Sequence, residues 1–264
     1  MFSRCLSLLL AIALLAGART LRVCADPNNL PFSNQAGQGF ENHLAEVVAR
    51  DIGATLNYEW WPGREHSLDR SLKAGACDLL FGVPAGMDGV LLTRPYYKSG
   101  YVFVSRKDRG VALSSLLDPQ LSRYRIGVPV VGEDYAPPAV ILARQGLSAN
   151  IVGFSLYGKK AESNPQARIL EALRKGEVDA AIVWGPVAGY FAAKSGAALE
   201  IRPVTPEAFS GVPFTYEISA ALRKDQLILK DKVDQALARE CSAIQALLLD
   251  YHVPLLAEEK SRCD

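Results

Sequence analysis

Residues 21–42 read LRVCADPNNLPFSNQAGQGFEN. A short apolar run, 21–25, stops at Asp26, Pro27, Asn28 and Asn29, and is followed by Pro31 and Phe32. Apolar residues without alternation, bounded by turn formers, predict a strand buried on both faces. The polar, aromatic-tipped segment after it is a loop at the strand's carboxyl end, where open α/β sheets bind their ligands. What precedes the run matters as much. Residues 1–18 carry Arg4, an apolar core over 6–15 and Ala16-Gly17-Ala18, the three parts of a cleavable secretory signal. The apolar core is shorter than the roughly 20 residues of a spanning helix. The expectation is an exported α/β protein that is not embedded in a membrane and is a receptor rather than an enzyme.

Working outward, two segments read alike. Ser71-Leu72-Lys73-Ala74-Gly75 leads through Cys77-Asp78 into an apolar strand ending at Gly82-Val83-Pro84, and Ala172-Leu173-Arg174-Lys175-Gly176 leads through Val178-Asp179 into one ending at Trp184-Gly185-Pro186. Each is a basic helix end, a glycine suited to the left-handed position past a helix, and a strand with Asp at its start. Strands at 55–60, 124–130 and 150–154 and helices at 42–51, 67–74, 138–145 and 166–175 complete a βαβα order in each half, which means a mostly parallel sheet flanked by helices. Extended runs at 101–105 and 214–222, each ending in a charged turn, read as two hinge crossings, and apolar spacing over 228–237 and 244–249 reads as a helical tail packed on the first half. The domain reading is a signal at 1–18, lobe one at 19–105 plus 217–264, and lobe two at 106–216, with a cleft between.

The 264-residue chain holds 29 basic and 28 acidic residues, and losing Arg4 with the signal leaves 28 of each. This balance gives no electrostatic footprint for nucleic acid. Cys24, Cys77, Cys241 and Cys263 remain, an even count that favours disulfides in an oxidising compartment. Four cysteines allow three pairings; Cys24 with Cys77 is possible if their strands are neighbours, which leaves Cys241 with Cys263. The spacing of the cysteines and of His43, His66 and His252 matches no zinc motif, so no metal and no cofactor is expected. No triad spacing or nucleophile elbow is present.

The long motifs CADPNNLPFSN (24–34), GFENHLAEVVARDIGATLNYEWWP (39–62), GACDLLFGVPAGMD (75–88) and LTRPYYKSGYVFVSR (92–106) resemble the periplasmic solute-binding proteins of the class that includes the polar amino-acid receptors. More narrowly they resemble its quinoprotein-dehydrogenase-associated branch, the J-type components encoded with PQQ-dependent methanol and alcohol dehydrogenases. The resemblance implies a two-lobe type 2 periplasmic binding fold. It also implies a PQQ-dependent alcohol dehydrogenase or its cytochrome c as partner, with a small molecule as a further candidate guest. The alternative is the solute-binding component of an ABC-type transporter.

Two departures bear on the ligand. Amino-acid receptors of this class carry an Arg roughly nine residues ahead of the Pro-Tyr pair, to fork onto the ligand carboxylate; that position here is Gly86. They also end the second-lobe strand with an Asp for the ligand ammonium; here it is Trp184. A zwitterion buried without charged partners carries a large desolvation cost, so ordinary α-amino acids are not expected. Candidate cleft residues are Asp26, Asn28, Asn29 and Phe32 on the first loop, Trp60, Trp61 and Arg64 after the second strand, and Pro84, Tyr96 and Tyr97. Glu133, Trp184 and Tyr216 complete the set. Asp26 and Asn28 have an equal claim to a local Asx turn. Trp184, in the place of the ammonium-binding Asp, favours a flat apolar or aromatic guest or a partner's side chain.

Overall fold

A computed structural model describes residues 19–62, 68–131, 134–156, 164–256 and 263. Lobe one is built on β1 (Arg19–Ala25), which runs parallel to β2 (Ala54–Trp60) along its whole length and to β3 (Leu79–Pro84) at Val23 and Cys24. Lobe two repeats the arrangement with β5 (Ile126–Val131) parallel to β6 (Ile151–Ser155) and to β7 (Ala180–Trp184). Between them lies β4 (Tyr97–Arg106), with β8 (Leu199–Pro203) and β9 (Thr215–Leu222) as antiparallel neighbours. The order β6-β5-β7-β4-β9-β3-β1-β2 runs through both lobes as one hydrogen-bonded path.

The strand β4 changes partner midway. Tyr97 to Gly100 pair with β9, whereas Tyr101 onward pairs with β7 and β8. Gly100 stands at the change because a Cβ there would lie 2.7 Å from Thr215 Cγ2. We propose that the crossings fall there and at Phe214–Thr215, slightly ahead of the lobe boundaries expected from the sequence at 105/106 and 216/217. Each lobe thus joins three parallel strands to antiparallel ones supplied at the crossings.

The internal repeat has a shared hydrogen-bond pattern. Asp78 N–H donates to Arg22 O (2.8 Å) and Asp179 N–H to Arg125 O (2.9 Å). In return Asp78 Oδ2 accepts from Arg22 N–H (3.1 Å) and Asp179 Oδ2 from Arg125 N–H (2.8 Å). An Asp just ahead of one strand therefore closes the start of its pairing with the neighbouring strand in both lobes. Gly75 and Gly176 both adopt the left-handed conformation expected of them.

The helices are α1 (Phe40–Asp51), α2 (Pro137–Arg144), α3 (Arg168–Lys175), α4 (Gly185–Lys194), α5 (Leu227–Arg239) and α6 (Cys241–Asp250). The helix expected over 67–74 is only a short wide turn, Leu68–Leu72. The sequence reading assigned neither α4 nor β8. The tail helices pack on lobe one, where Arg239 forks onto Asp51 at 3.0 and 2.6 Å. Disulfides join Cys24 to Cys77 and Cys241 to Cys263, each with Cα atoms 5.5 Å apart. The first staples β1 to the entry of β3 inside a small core with Leu72 and Val83.

Candidate functional site

The loop after β1 is fixed from several sides. Asp26 Oδ1 accepts from Asn28 N–H (2.8 Å), an Asx turn, and Ser33 Oγ donates to Asp26 O (2.8 Å). The first turn of α1 is spent on the same loop: Phe40 N–H donates to Pro31 O and Glu41 N–H to Phe32 O, both at 2.8 Å. These bonds satisfy helix N–H groups that otherwise lack partners. Gly39 is required for this approach, since a Cβ there would fall 2.0 Å from Phe32 O.

Held this way, Phe32 turns inward. It is 7% exposed and lies 5.4 Å from the Phe40 ring in the lobe-one core. Tyr97 is in the same core, edge-on to Phe40. Tyr96 packs against Phe81, and its hydroxyl accepts from Gly82 N–H (2.9 Å) where β3 kinks against β9. Trp60 stacks on Tyr58 at 4.8 Å. Trp61 packs on the core around the Cys24–Cys77 disulfide and, with Asp26, Ser33 and Glu41, lines a depression of about 310 Å³ counted to its open mouth. Pro84 ends β3 opposite Ile218. Arg64 and Glu133 lie outside the described residues.

Trp184 and Tyr216 are brought together, with Tyr101 as a third ring that the sequence reading had placed only on a strand. The Trp184 indole is 5.5 Å from Tyr101, edge-on, and 6.0 Å from Tyr216. Tyr216 O–H donates to Pro213 O (2.9 Å). Burial raises the Tyr101 phenol, with the nearby Tyr216 adding to it, and burial also raises Tyr216. Both hydroxyls therefore stay neutral, and the trio forms an apolar, uncharged wall where the two crossings meet. Gly86, in the place of the receptor Arg, is in the left-handed conformation with open space around it.

The lobes touch in front of this wall and behind it. In front, Gln166 Nε2 donates to Asn29 Oδ1 (3.0 Å, buried) and Asn164 Nδ2 to Leu30 O (3.1 Å). Asn164 also accepts from Gln166 N–H, so one residue holds the α3 entry and reaches the opposite loop. Neither Gln166 nor Asn164 was marked by the sequence reading, although Asn-Pro before a helix is a recognisable start signal. Behind, α4 belongs to lobe two yet places Val187 in the lobe-one core. Tyr190 stacks on Tyr251 at 5.7 Å, and a Cβ on Gly189 would meet His252 O at 1.8 Å.

The sequence over residues 21–243 matches the family model for bacterial extracellular solute-binding proteins, family 3. The chain belongs to that family. Among its relatives, Protein MoxJ of Paracoccus denitrificans is 32% identical over 95% of this chain and 94% of its own length. The crystal structure of the periplasmic binding protein XoxJ from Methylobacterium extorquens AM1 has a TM-score of 0.72 at 32% identity, covering 90% of this chain and all of that one. MxaJ from Methlophaga aminisulfidivorans MPT gives a TM-score of 0.76 at 26% identity, with the same coverage. An arginine-bound amino-acid transporter protein from Streptococcus pneumoniae, at 21% identity and a TM-score of 0.64, shares the fold. Among the described residues no helix of this family member is long and apolar enough to cross a membrane.

Proposed function

We propose that this protein is a periplasmic accessory of a PQQ-dependent methanol or alcohol dehydrogenase system. In this reading it assists maturation or activity of the dehydrogenase by docking to it or to its cytochrome c, or by binding a small ligand that is not an amino acid. Similarity to MoxJ and XoxJ over nearly the whole chain supports the system. The observation that carries the reading is Trp184. Its indole, held between Tyr101 and Tyr216, stands where an amino-acid receptor of this fold needs a carboxylate, and Gly86 stands where it needs a guanidinium. Without either charge, transfer of a zwitterion into the cleft is uncompensated.

The test is co-purification with the dehydrogenase, together with dehydrogenase activity in a deletion strain. A stable complex and loss of activity are expected. Full activity without this protein would remove the reading.

The aromatic wall supports a second reading, a transport receptor for an apolar or aromatic solute. That reading expects ligand-dependent thermal stabilisation, which follows ln(1 + [L]/Kd). A broad metabolite screen without a shift would count against it.

A further inference from the structure

The end of lobe two farthest from the aromatic wall concentrates positive charge. Ala180, the first residue of β7, is opposite both Ser105 and Ile126, so Arg106 and Arg125 lie at the same end of the two strands flanking it. Neighbouring strands are about 4.8 Å apart, so the two backbones are separated by about 10 Å. Arg106 Nη1 donates to Arg174 O (2.9 Å), which brings the end of α3 to this edge, and Lys107 N–H donates to Ala198 O (2.9 Å). Lys107, Arg109, Arg125, Arg174 and Lys175 are all exposed, and among the described residues none has an ion-pair partner.

Nearby acids are largely engaged. Asp108 is forked by Arg106, and Asp179 accepts from Arg125 N–H. Glu177 and Asp179 are the exposed acids on the α3–β7 turn, fewer than the cations around them. Cations at a helix C-terminus suit its dipole, which accounts for Arg174 and Lys175. It does not account for Lys107 and Arg109, on the turn after β4, or for Arg125, at the start of β5. In a chain with a net charge of only +1, such segregation places like charges together at a cost in self-repulsion.

We propose that this strand-end face of lobe two is a docking surface for an acidic protein face. Resting on the accessory reading, we assign that face to the dehydrogenase. The cleft and the docking surface are then at opposite ends of lobe two, and docking leaves the aromatic wall uncovered. Charges at such a surface act mainly through electrostatic steering of association, which salt screens.

The experiment measures binding of the mature protein to the purified PQQ-dependent dehydrogenase at low and at physiological salt. It compares wild type with Lys107→Glu/Arg109→Glu, and with Lys224→Glu on lobe one as control. Expected is binding that weakens with salt, a loss of about tenfold or more in the double reversal at low salt, unchanged melting temperature, and a control like wild type. A double variant that binds as tightly as wild type, or binding insensitive to salt, overturns this surface while leaving the accessory reading standing. Absence of wild-type binding overturns this surface and direct docking to the dehydrogenase, whereas the accessory reading as a whole falls only with full dehydrogenase activity in the deletion strain. Sedimentation of wild type with phosphatidylglycerol vesicles but not with the dehydrogenase overturns the protein partner in favour of a membrane.

Discussion

Gln166 Nε2 donates to Asn29 Oδ1 across the front of the two lobes at 3.0 Å, with both side chains buried. One residue enters α3 in lobe two and the other ends the first turn of the β1 loop in lobe one, so a single amide pair connects the two halves of the repeat. The Asn164 contact with Leu30 O lies beside it. A buried hydrogen bond contributes little net stability but is expensive to leave half made.

That asymmetry gives the first prediction. Gln166→Ala leaves the Asn29 carboxamide without its partner and is expected to destabilise by about 1–3 kcal/mol. Asn29→Leu combined with Gln166→Leu removes both polar groups and is expected to cost less than the sum of Asn29→Leu alone and Gln166→Leu alone. Urea denaturation of wild type, Asn29→Leu, Gln166→Leu and the double variant measures this; a double cost equal to the sum of the two single costs would show that the pair is not coupled.

Trp184 supplies the second. Trp184→Asp recreates the acid of an amino-acid receptor, but Gly86 still lacks the opposing guanidinium. No stabilisation by lysine, arginine or glutamine is expected in a thermal-shift assay. The variant itself is expected to be less stable by on the order of 2 kcal/mol, because a carboxylate replaces packing against Tyr101 and Tyr216. A melting-temperature rise with any of these amino acids would contradict the account of the clamp.

The third concerns the contact behind the wall. Gly189 lets α4 approach the chain at His252, and an added Cβ would fall 1.8 Å from the His252 carbonyl oxygen. Because that oxygen is backbone and the neighbouring Val253 is buried in the lobe-one core, the collision has no inexpensive relief. Gly189→Ala is expected to destabilise by about 2 kcal/mol or more despite raising helix propensity. Gly196→Ala is a poor comparison because of its positive φ; Ala193→Gly, exposed on the same helix, isolates the propensity effect. Denaturation midpoints decide between them.

These relationships show what the sequence discloses. Strands β5 and β7 are legible because burial on both faces leaves uninterrupted apolar runs, and Asp78 and Asp179 mark the repeat. The helix α4 was not legible. It begins Gly185-Pro186, which reads as a strand's end, although Pro is also at home in a helix's first turn. Its buried residues face both lobes, so no amphipathic stripe marks it. The side of the backbone from which Phe32 and Tyr97 enter the core was equally hidden. It depends on how Gly39 and the first turn of α1 draw the loop inward, a tertiary effect without a local signature.

The last prediction is a pH dependence. Burial works against ionisation of Asp78. Hydrogen bonds from the Arg22 guanidinium and backbone and from Gln226 outweigh it and hold the carboxyl below its usual 3.8. A carboxyl depressed in the folded state contributes stability that is fully present above its unfolded value and is lost as pH falls through the folded one. The stability gap between wild type and Asp78→Asn is therefore expected to be constant near neutrality and to narrow on acidification below about 3.8. Arg22, raised by its hydrogen bond to this carboxylate, keeps its positive charge throughout, so the carboxylate is the group that titrates; Arg223 Nη1 lies 3.6 Å from it. Urea midpoints of the two proteins across the acid range measure the gap; a gap that widens on acidification would mean that the Asp78 carboxyl is held above its usual value rather than below it.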